Sequence, residues 1–357
     1  MLKTIENKMM EQNAHTVKYI KTVGINDAKG AIKQINVQID RDFGLVGPLS
    51  LSSISESVHA MRWANIREVF VVETNVKRVV KETIASGIAK TNDCPYCQDV
   101  HETSISSAGD TETSKAIANG TWKSLKNEKT KALIKWSLNT RNPNTEIIKN
   151  PPFTKSEATE IIGTALVFHS TNRLANIFLD NSPLPKFLTN SILKKTALNI
   201  ASKTLFKTMV MKKGKAGDSL QFIQSNAYSE KYKWSENVPT YAKTLDARDF
   251  LLDELEKELI PKKIAKIFKS KIKNWYGKEM PLGRAWLNEI IINFSESEKP
   301  IATLIFLSAF APFTIIEKDI TNFYKIKNTE KELLEVCYWS IQIITNRISE
   351  WLTEPFN

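Results

Sequence analysis

The apolar and polar positions of the chain repeat with helical spacing over most of its length. Apolar residues three and four positions apart, separated by short polar breaks, predict helices over 53–74, 75–91, 92–106, 127–139, 154–179 and 246–268. Thr154 and Glu157 give the fifth of these the Thr-x-x-Glu pattern of a capping box. No Asn-Gly or Asp-Gly pair joins two alternating runs, so hairpin signals are nearly absent. We therefore expect an all-α fold.

One stretch concentrates the reactive side chains, ETIASGIAKTNDCPYCQDVH at 82–101. It contains Cys94, Cys97 and His101, and it begins with Glu82 one predicted helix earlier. If Pro95 opens a helix, the two cysteines lie three positions apart and Cys97 lies four positions before His101. Residues at these spacings share one helix face. The spacing thus predicts a dithiol with a base and a proton carrier beside it.

The start of this helix suits cysteine chemistry. Asn92 and Asp93 are good N-cap residues, so we expect the thiols at a helix N-terminus, where anions are stabilised. A thiolate is the reactive form of cysteine. We expect the helix end and a proton acceptor four residues on to lower the pKa of Cys97.

A Cys-x-x-Cys pair has other uses. A c-type haem attachment is excluded because Gln98 stands where a histidine is required. The two thiols with His101 and Glu82 could supply four zinc ligands, although carboxylates are uncommon in structural zinc sites. A thioredoxin-like site needs a preceding strand, and the flanks here are helical. Two buried thiols beside an incidental histidine are the plainest alternative.

Charge and cysteine content narrow the class of protein. The net charge is +11, but no zinc finger, RNA-binding signature or basic leucine zipper accompanies it, so we expect a lysine-rich solvated surface and no nucleic-acid partner. The longest apolar run, Ile301–Ile316, is too short to span a membrane. Three cysteines do not form a disulfide framework, and Cys337 lies in an apolar helical run where it is expected to be inert. We expect a cytoplasmic protein.

The chain divides by composition into three predicted parts. They are a region with the dithiol at 1–180, a connecting segment at 181–237 and a helical region without the site at 238–357. The first 35 residues of the connecting segment carry eight lysines and no acid. They could form a basic amphipathic helix on an anionic membrane, but a connecting helix with solvated lysines is favoured. The tripeptide at 171–173, Thr-Asn-Arg, recurs at 345–347 on a matching helix, which indicates an internal duplication.

The pattern Glu-x11-Cys-x2-Cys-x3-His, set in ETIA…NDCPYCQDVH, resembles the alkylhydroperoxidase D and carboxymuconolactone decarboxylase superfamily, in the branch that keeps the dithiol. The similarity extends to VFHSTNRLANIF at 167–178 and to RDFGLVGP at 41–48. It covers about 35–185, with the last third as a degenerate copy. The resemblance implies a compact helical bundle, self-assembly into a homo-oligomer and a peroxidase cycle.

The resemblance also implies roles for individual residues. Cys97 matches the thiol that attacks peroxide, and Cys94 matches the partner that resolves the resulting sulfenic acid into a disulfide. His101 and Glu82 match the proton relay. No cofactor or metal is implied, but an external dithiol or protein reductant must reduce the disulfide. One departure is Tyr96, because the best-known peroxidase of the family has a histidine there.

These observations favour a thiol-dependent peroxidase or thiol–disulfide oxidoreductase that reduces hydroperoxides. A redox-switch or scaffold protein that uses the dithiol without turnover is the first alternative. A decarboxylase-type enzyme in which His101 and Glu82 act as acid and base is the second. His169, Asn172 and Arg173 lie on a predicted helix that could pack near the dithiol, and Arg173 is expected to pair with a buried acid.

Overall fold

Helices, together with one isolated bridge between Val17 and Leu179, form the regular structure that the computed structural model describes. The described residues are 17–24, 26–44, 47–183, 205–224 and 230–357. The prediction of an all-α fold is confirmed.

The helices before residue 184 surround the dithiol. They are α1 (Gly30–Asp42), α2 (Gly47–Ser50), α3 (Glu56–Ile66), α4 (Arg78–Thr91), α5 (Pro95–Ser107), α6 (Thr111–Ala118), α7 (Glu128–Asn139), α8 (Glu146–Lys149) and α9 (Lys155–Phe178). The helices after residue 204 are α10 (Leu205–Met211), α11 (Pro239–Leu259), α12 (Lys262–Lys273), α13 (Ala285–Ile291), α14 (Lys299–Phe310), α15 (Glu317–Tyr324) and α16 (Glu330–Thr353).

Local sequence signals set several helix ends. The predicted capping box is present at the start of α9, where the side chains of Thr154 and Glu157 bond reciprocally to the backbone. The prediction of one helix over 246–268 was wrong, because α11 ends at Leu259 and α12 begins at Lys262. Pro261 lacks a backbone N–H and disfavours helical geometry at Ile260, which is extended.

Helix α3 does not end at Ile66 but continues into a π-helical turn, Arg67–Val71. Such turns insert an extra residue into the helical ladder and are frequent at functional sites. Every residue of this turn is buried. Phe70 belongs to the turn and faces the dithiol region, as described below.

The two longest helices, α9 and α16, pack against each other near the centre of the fold. Helix α9 also packs against α4, which in turn packs against α5 and α7, whereas α16 packs against α14 and α11. One cluster of buried apolar residues extends from Ile20 to Leu352. The dithiol region and the C-terminal region therefore share a core. The boundaries at 180 and 237 and the internal duplication stay predictions.

Most of the lysine-rich segment, 184–204, lies outside the described residues. After it, α10 packs against α5, and Phe206 and Met209 contact Val100 of that helix. Farther on, Glu68 of the π-helical turn accepts hydrogen bonds from Gly217 and from the hydroxyl of Ser219. These contacts hold part of the connecting segment against the dithiol region. In the described part of the chain, no helix has both the length and the apolar character needed to cross a bilayer.

Candidate active site

The two cysteines of the motif meet at the first turn of α5. Pro95 occupies the first position of this helix, as predicted, and Cys94 is the N-cap residue. The sulfur atoms of Cys94 and Cys97 are 2.7 Å apart, within S–H···S hydrogen-bond distance, and both thiols are free. Both side chains are buried, with Cys97 5% exposed. The motif thus forms a preassembled dithiol.

The residues before the dithiol do not cap α5 as predicted. Asn92 is the C-cap of α4, and Asp93 adopts a left-handed conformation with φ 47°. Because α4 extends to Thr91, only these two residues remain to reverse the chain before Cys94. A tight turn therefore takes the place of the expected N-cap.

The environment of Cys97 differs from the sequence expectation in its electrostatics. Burial raises the pKa of the Cys97 thiol well above its ordinary value, and the hydrogen bond and charge of Cys94 add to this effect. The expected lowering by the helix N-terminus is outweighed, because removing a thiolate from water costs more than the helix end returns. The resting site thus holds Cys97 as a neutral thiol.

Glu82 and His101 form the second half of the site, as their spacing predicted. The Nδ1 atom of His101 lies 2.7 Å from Oε2 of Glu82, and this contact joins α5 to α4. Burial raises the pKa of Glu82, but the charge of Arg78 and the hydrogen bond from His101 outweigh it, so the pKa is lowered. Glu82 is therefore ionised, and Nδ1–H of His101 donates to it. This leaves Nε2 of the ring available for proton exchange.

Arg78 is a site residue that the sequence reasoning missed. Its Nε donates to Oε1 of Glu82 at 2.8 Å, and its guanidinium lies over the ring of Phe70 at 4.1 Å and near Phe43 at 5.1 Å. The signal that could have found it is the Arg-x-x-x-Glu spacing on α4, which puts both side chains on one helix face. The relay is therefore a row of three groups: Arg78, Glu82 and His101.

Aromatic rings enclose His101. The imidazole packs edge-on against Phe168 of α9 at 4.4 Å and against Phe70 at 6.2 Å. These two phenyl rings contact each other at 4.7 Å. A low-polarity wall of this kind strengthens the interaction between Glu82 and the imidazole, because less water screens it.

The predicted interest in α9 is partly met by His169, which holds the turn before the dithiol. Its Nδ1 lies 3.0 Å from the Asn92 amide nitrogen, and its Nε2 lies 2.9 Å from the Thr140 hydroxyl. Asn176 donates to the backbone oxygen of Asn92 at 2.9 Å. Burial, together with nearby arginines, lowers the pKa of His169 well below its ordinary value. His169 is thus a neutral structural residue.

The expectation that Arg173 pairs with a buried acid was wrong. Its Nε donates to the backbone oxygen of Ala309 at 3.0 Å and its Nη1 donates to that of His169 at 2.8 Å. Two carbonyls at helix ends thus take the place of a carboxylate, and burial lowers the pKa of Arg173 to about 9. Arg173 ties α9 to α14. The side-chain atoms of Asn172 are buried without a hydrogen-bond partner.

The four predicted residues are brought together, but not into one continuous hydrogen-bonded chain. Among the described residues, no hydrogen bond joins His101 to either sulfur, so proton transfer from Cys97 requires a bridging molecule or a small movement. The described residues also contain no group of three His, Cys, Asp or Glu side chains placed to hold a metal ion. Two linked pairs, the dithiol and the Glu82–His101 couple, form the site on adjacent helices.

Comparison with known proteins supports the resemblance drawn from the motif. No family model matches the chain, and no solved structure matches it. A curated protein of Mycobacterium tuberculosis named alkyl hydroperoxide reductase is 26% identical to it over 339 residues, which is 94% of this chain and 95% of that protein. The similarity therefore includes the C-terminal region as well as the dithiol region. The resemblance to the alkylhydroperoxidase D type is confirmed by a relative that matches this chain along nearly its whole length.

Proposed function

We propose that the protein is a thiol-dependent peroxidase that reduces organic hydroperoxides through the Cys94–Cys97 dithiol, with Glu82 and His101 as a proton relay. The observation that carries the proposal is the 2.7 Å separation of the two sulfur atoms at the first turn of α5. Sulfurs this close can join with little backbone movement. The name of the mycobacterial relative supports the same class of reaction.

The first step oxidises Cys97. Its thiolate attacks the terminal oxygen of the hydroperoxide, so an S–O bond forms while the O–O bond breaks. The leaving alkoxide receives the proton that Cys97 gave up, carried by Nε2 of His101, and departs as an alcohol. Glu82 stabilises the imidazolium that exists between these two proton transfers. The products are the alcohol and a sulfenic acid on Cys97.

The second step makes the disulfide. The Cys94 sulfur attacks the sulfur of the sulfenic acid, an S–S bond forms and the hydroxyl group leaves as water after taking the Cys94 proton. An external dithiol then reduces the disulfide by exchange and is itself oxidised. The balanced reaction converts one hydroperoxide and one dithiol into one alcohol, one water and one disulfide. A dithiol or protein reductant is thus the proposed partner, and a homo-oligomer is the proposed assembly.

The proposal is tested by trapping the intermediate. In a Cys94→Ser variant, one equivalent of cumene hydroperoxide should yield one equivalent of alcohol and then stop, because the sulfenic acid on Cys97 has no resolving thiol. Dimedone should label Cys97 in this variant and not in the wild type. Continued turnover in a variant that lacks both thiols would overturn the peroxidase proposal and would favour acid–base chemistry of the decarboxylase type.

A redox switch is a second candidate, and one observation favours it. Cys94 is fully buried and Cys97 nearly so, and the pKa of Cys97 is raised, which slows thiolate chemistry. A protein that senses peroxide without rapid turnover tolerates slow oxidation. Size-exclusion chromatography before and after oxidation separates the two functions. A change of oligomer with negligible multiple turnover supports the switch, whereas sustained turnover at constant size supports the enzyme.

A further inference from the structure

The guanidinium of Arg78 has more hydrogen-bonding capacity than its protein neighbours use. The side chain is 3% exposed, and its Nε is occupied by Glu82. Both terminal nitrogens, Nη1 and Nη2, are buried without a hydrogen-bond partner. An ion pair with Glu82 alone does not account for them, because it uses a single nitrogen. Two buried donors on one charged group thus point to a missing acceptor.

The surroundings of Arg78 indicate what kind of acceptor fits. The rings of Phe70 and Phe43 lie against the guanidinium, and Phe43 also packs against Phe206 and Met209 of α10. The guanidinium is therefore a cationic group set in an apolar wall. Such a wall accommodates a hydrocarbon body, while the charge attracts an anionic group.

The nearby acids do not occupy the two nitrogens. Among the described residues, Glu82 is the acid within ion-pair distance of Arg78, through Nε. Glu73 accepts a hydrogen bond from the backbone nitrogen of Arg78 and pairs with Lys213. Glu160 pairs with Lys81 and accepts from the 74–76 backbone. The fork of Nη1 and Nη2 thus remains for a ligand, and its planar geometry matches both oxygens of a carboxylate.

We propose that Arg78 binds the carboxylate of the substrate, which is an organic hydroperoxide that carries an acid group on an apolar body. The inference rests on the proposed function, since it names the substrate class of that same site. Arg78 is on α4 and Cys97 is on α5, and the Glu82–His101 hydrogen bond joins these two helices. The substrate would extend between them, with its acid group at Arg78 and its hydroperoxide group at the dithiol.

The test compares two substrates that differ only in the acid group. The probes are a hydroperoxide of a long-chain unsaturated fatty acid and the methyl ester of the same molecule, with dithiothreitol as the reductant. The wild type should show a kcat/KM for the acid about tenfold or more above that for the ester, since a paired charge is lost in the ester. Arg78→Gln should bring this ratio close to one, and Arg78→Lys should retain part of it.

The ratio isolates recognition from relay chemistry. Loss of the charge beside Glu82 lowers the rate for both substrates equally, so it cancels in the acid-to-ester ratio. Arg173→Gln is the matched control, because Arg173 is a buried arginine whose Nε and Nη1 are taken up by carbonyls. Its ratio should equal that of the wild type. Circular dichroism checks that each variant is folded.

The outcomes separate the two proposals. Equal kcat/KM values for acid and ester in the wild type would overturn the role of Arg78 and would leave water as the acceptor at its nitrogens, while the peroxidase proposal stands. No consumption of either hydroperoxide by the folded wild type would overturn the proposed function itself. An acid-to-ester ratio that survives in Arg78→Gln would also contradict the assignment.

Discussion

The dithiol region and the C-terminal region begin alike and diverge within two residues. Helix α4 ends at Asn92, with φ −100° and ψ 10°, and α12 ends at Asn274, with φ −93° and ψ 4°. After Asn92 the chain turns at once into α5 and its thiols, whereas after Asn274 it runs irregularly to Ala285. The same helix end thus leads to a reactive site in one region and to a loop in the other.

The two regions also contact each other in a reciprocal way. Arg173 of α9 donates to the carbonyl of Ala309 at the end of α14, and the indole of Trp351 of α16 donates to the carbonyl of Thr140 beyond α7. Contacts of this kind are expected if the chain imitates a dimer of related units. They support the predicted duplication. The difference between the regions teaches that a conserved-looking helix frame does not carry chemistry unless the residues after it do.

The largest expected effect distinguishes the two kinds of cysteine. Cys97→Ser should lower peroxide consumption by about a thousandfold or more, because a hydroxyl replaces the attacking thiol. Cys337→Ala is the control in the C-terminal region, where burial raises the pKa of Cys337 to about 12. Its rate, measured with dithiothreitol and cumene hydroperoxide, should match the wild type. Equal losses in both variants would erase the distinction between the regions.

The next effect compares two buried acids. Glu82→Gln should lower kcat by about a hundredfold, since the neutral amide no longer stabilises the imidazolium of His101. Glu335→Gln is the matched change in the C-terminal region, where the carboxylate accepts a hydrogen bond from Ser55. It should leave kcat near the wild-type value. Steady-state kinetics measure both, and an unaffected Glu82→Gln enzyme would remove Glu82 from the relay.

The pH dependence of Cys97 tests its electrostatic environment. Because burial raises the pKa of this thiol, the thiolate fraction is small at neutral pH and grows as pH rises. Alkylation of Cys97 by iodoacetamide should therefore accelerate by about tenfold for each pH unit between about pH 7 and pH 9. Mass spectrometry of the 94–97 peptide gives the rate. A plateau above pH 7 would mean that the helix N-terminus wins over burial.

The smallest effect concerns the loop that follows α12. Gly277 has φ +82°, and a Cβ atom there would lie 1.4 Å from the carbonyl oxygen of Arg141. Gly277→Ala should therefore lower the free energy of unfolding by a few kcal/mol, since backbone must move. Gly109→Ala has a similar φ but open space, so its cost should be about 1 kcal/mol. Denaturant titration measures both, and equal costs would contradict the close packing of the two regions.

The sequence predicted the parts of the site that depend on local spacing. Pro95 starts α5, the two sulfurs meet, and His101 reaches Glu82, because each relation follows from helical geometry over at most two helices. The all-α class followed in the same way from the period of the apolar residues. Local chemistry also predicted the capping box at Thr154.

Contacts between distant segments could not be predicted in this way. Phe168 and Phe70 reach His101 from α9 and from the π-helical turn, and neither position has a local signal. The pKa of Cys97 was predicted in the wrong direction because burial depends on the packing of the whole fold, which spacing does not give. The same is true of Arg173, whose carbonyl partners lie on another helix.

The central claim is that Cys94 and Cys97 act as one two-electron dithiol. Mass spectrometry of the reduced protein after one equivalent of hydroperoxide tests it most directly. The account predicts that the peptide containing Cys94 and Cys97 loses two hydrogen atoms to an internal disulfide, while Cys337 stays a free thiol. A protein in which both thiols survive, or in which Cys97 proceeds to a sulfinic acid without joining Cys94, would contradict it.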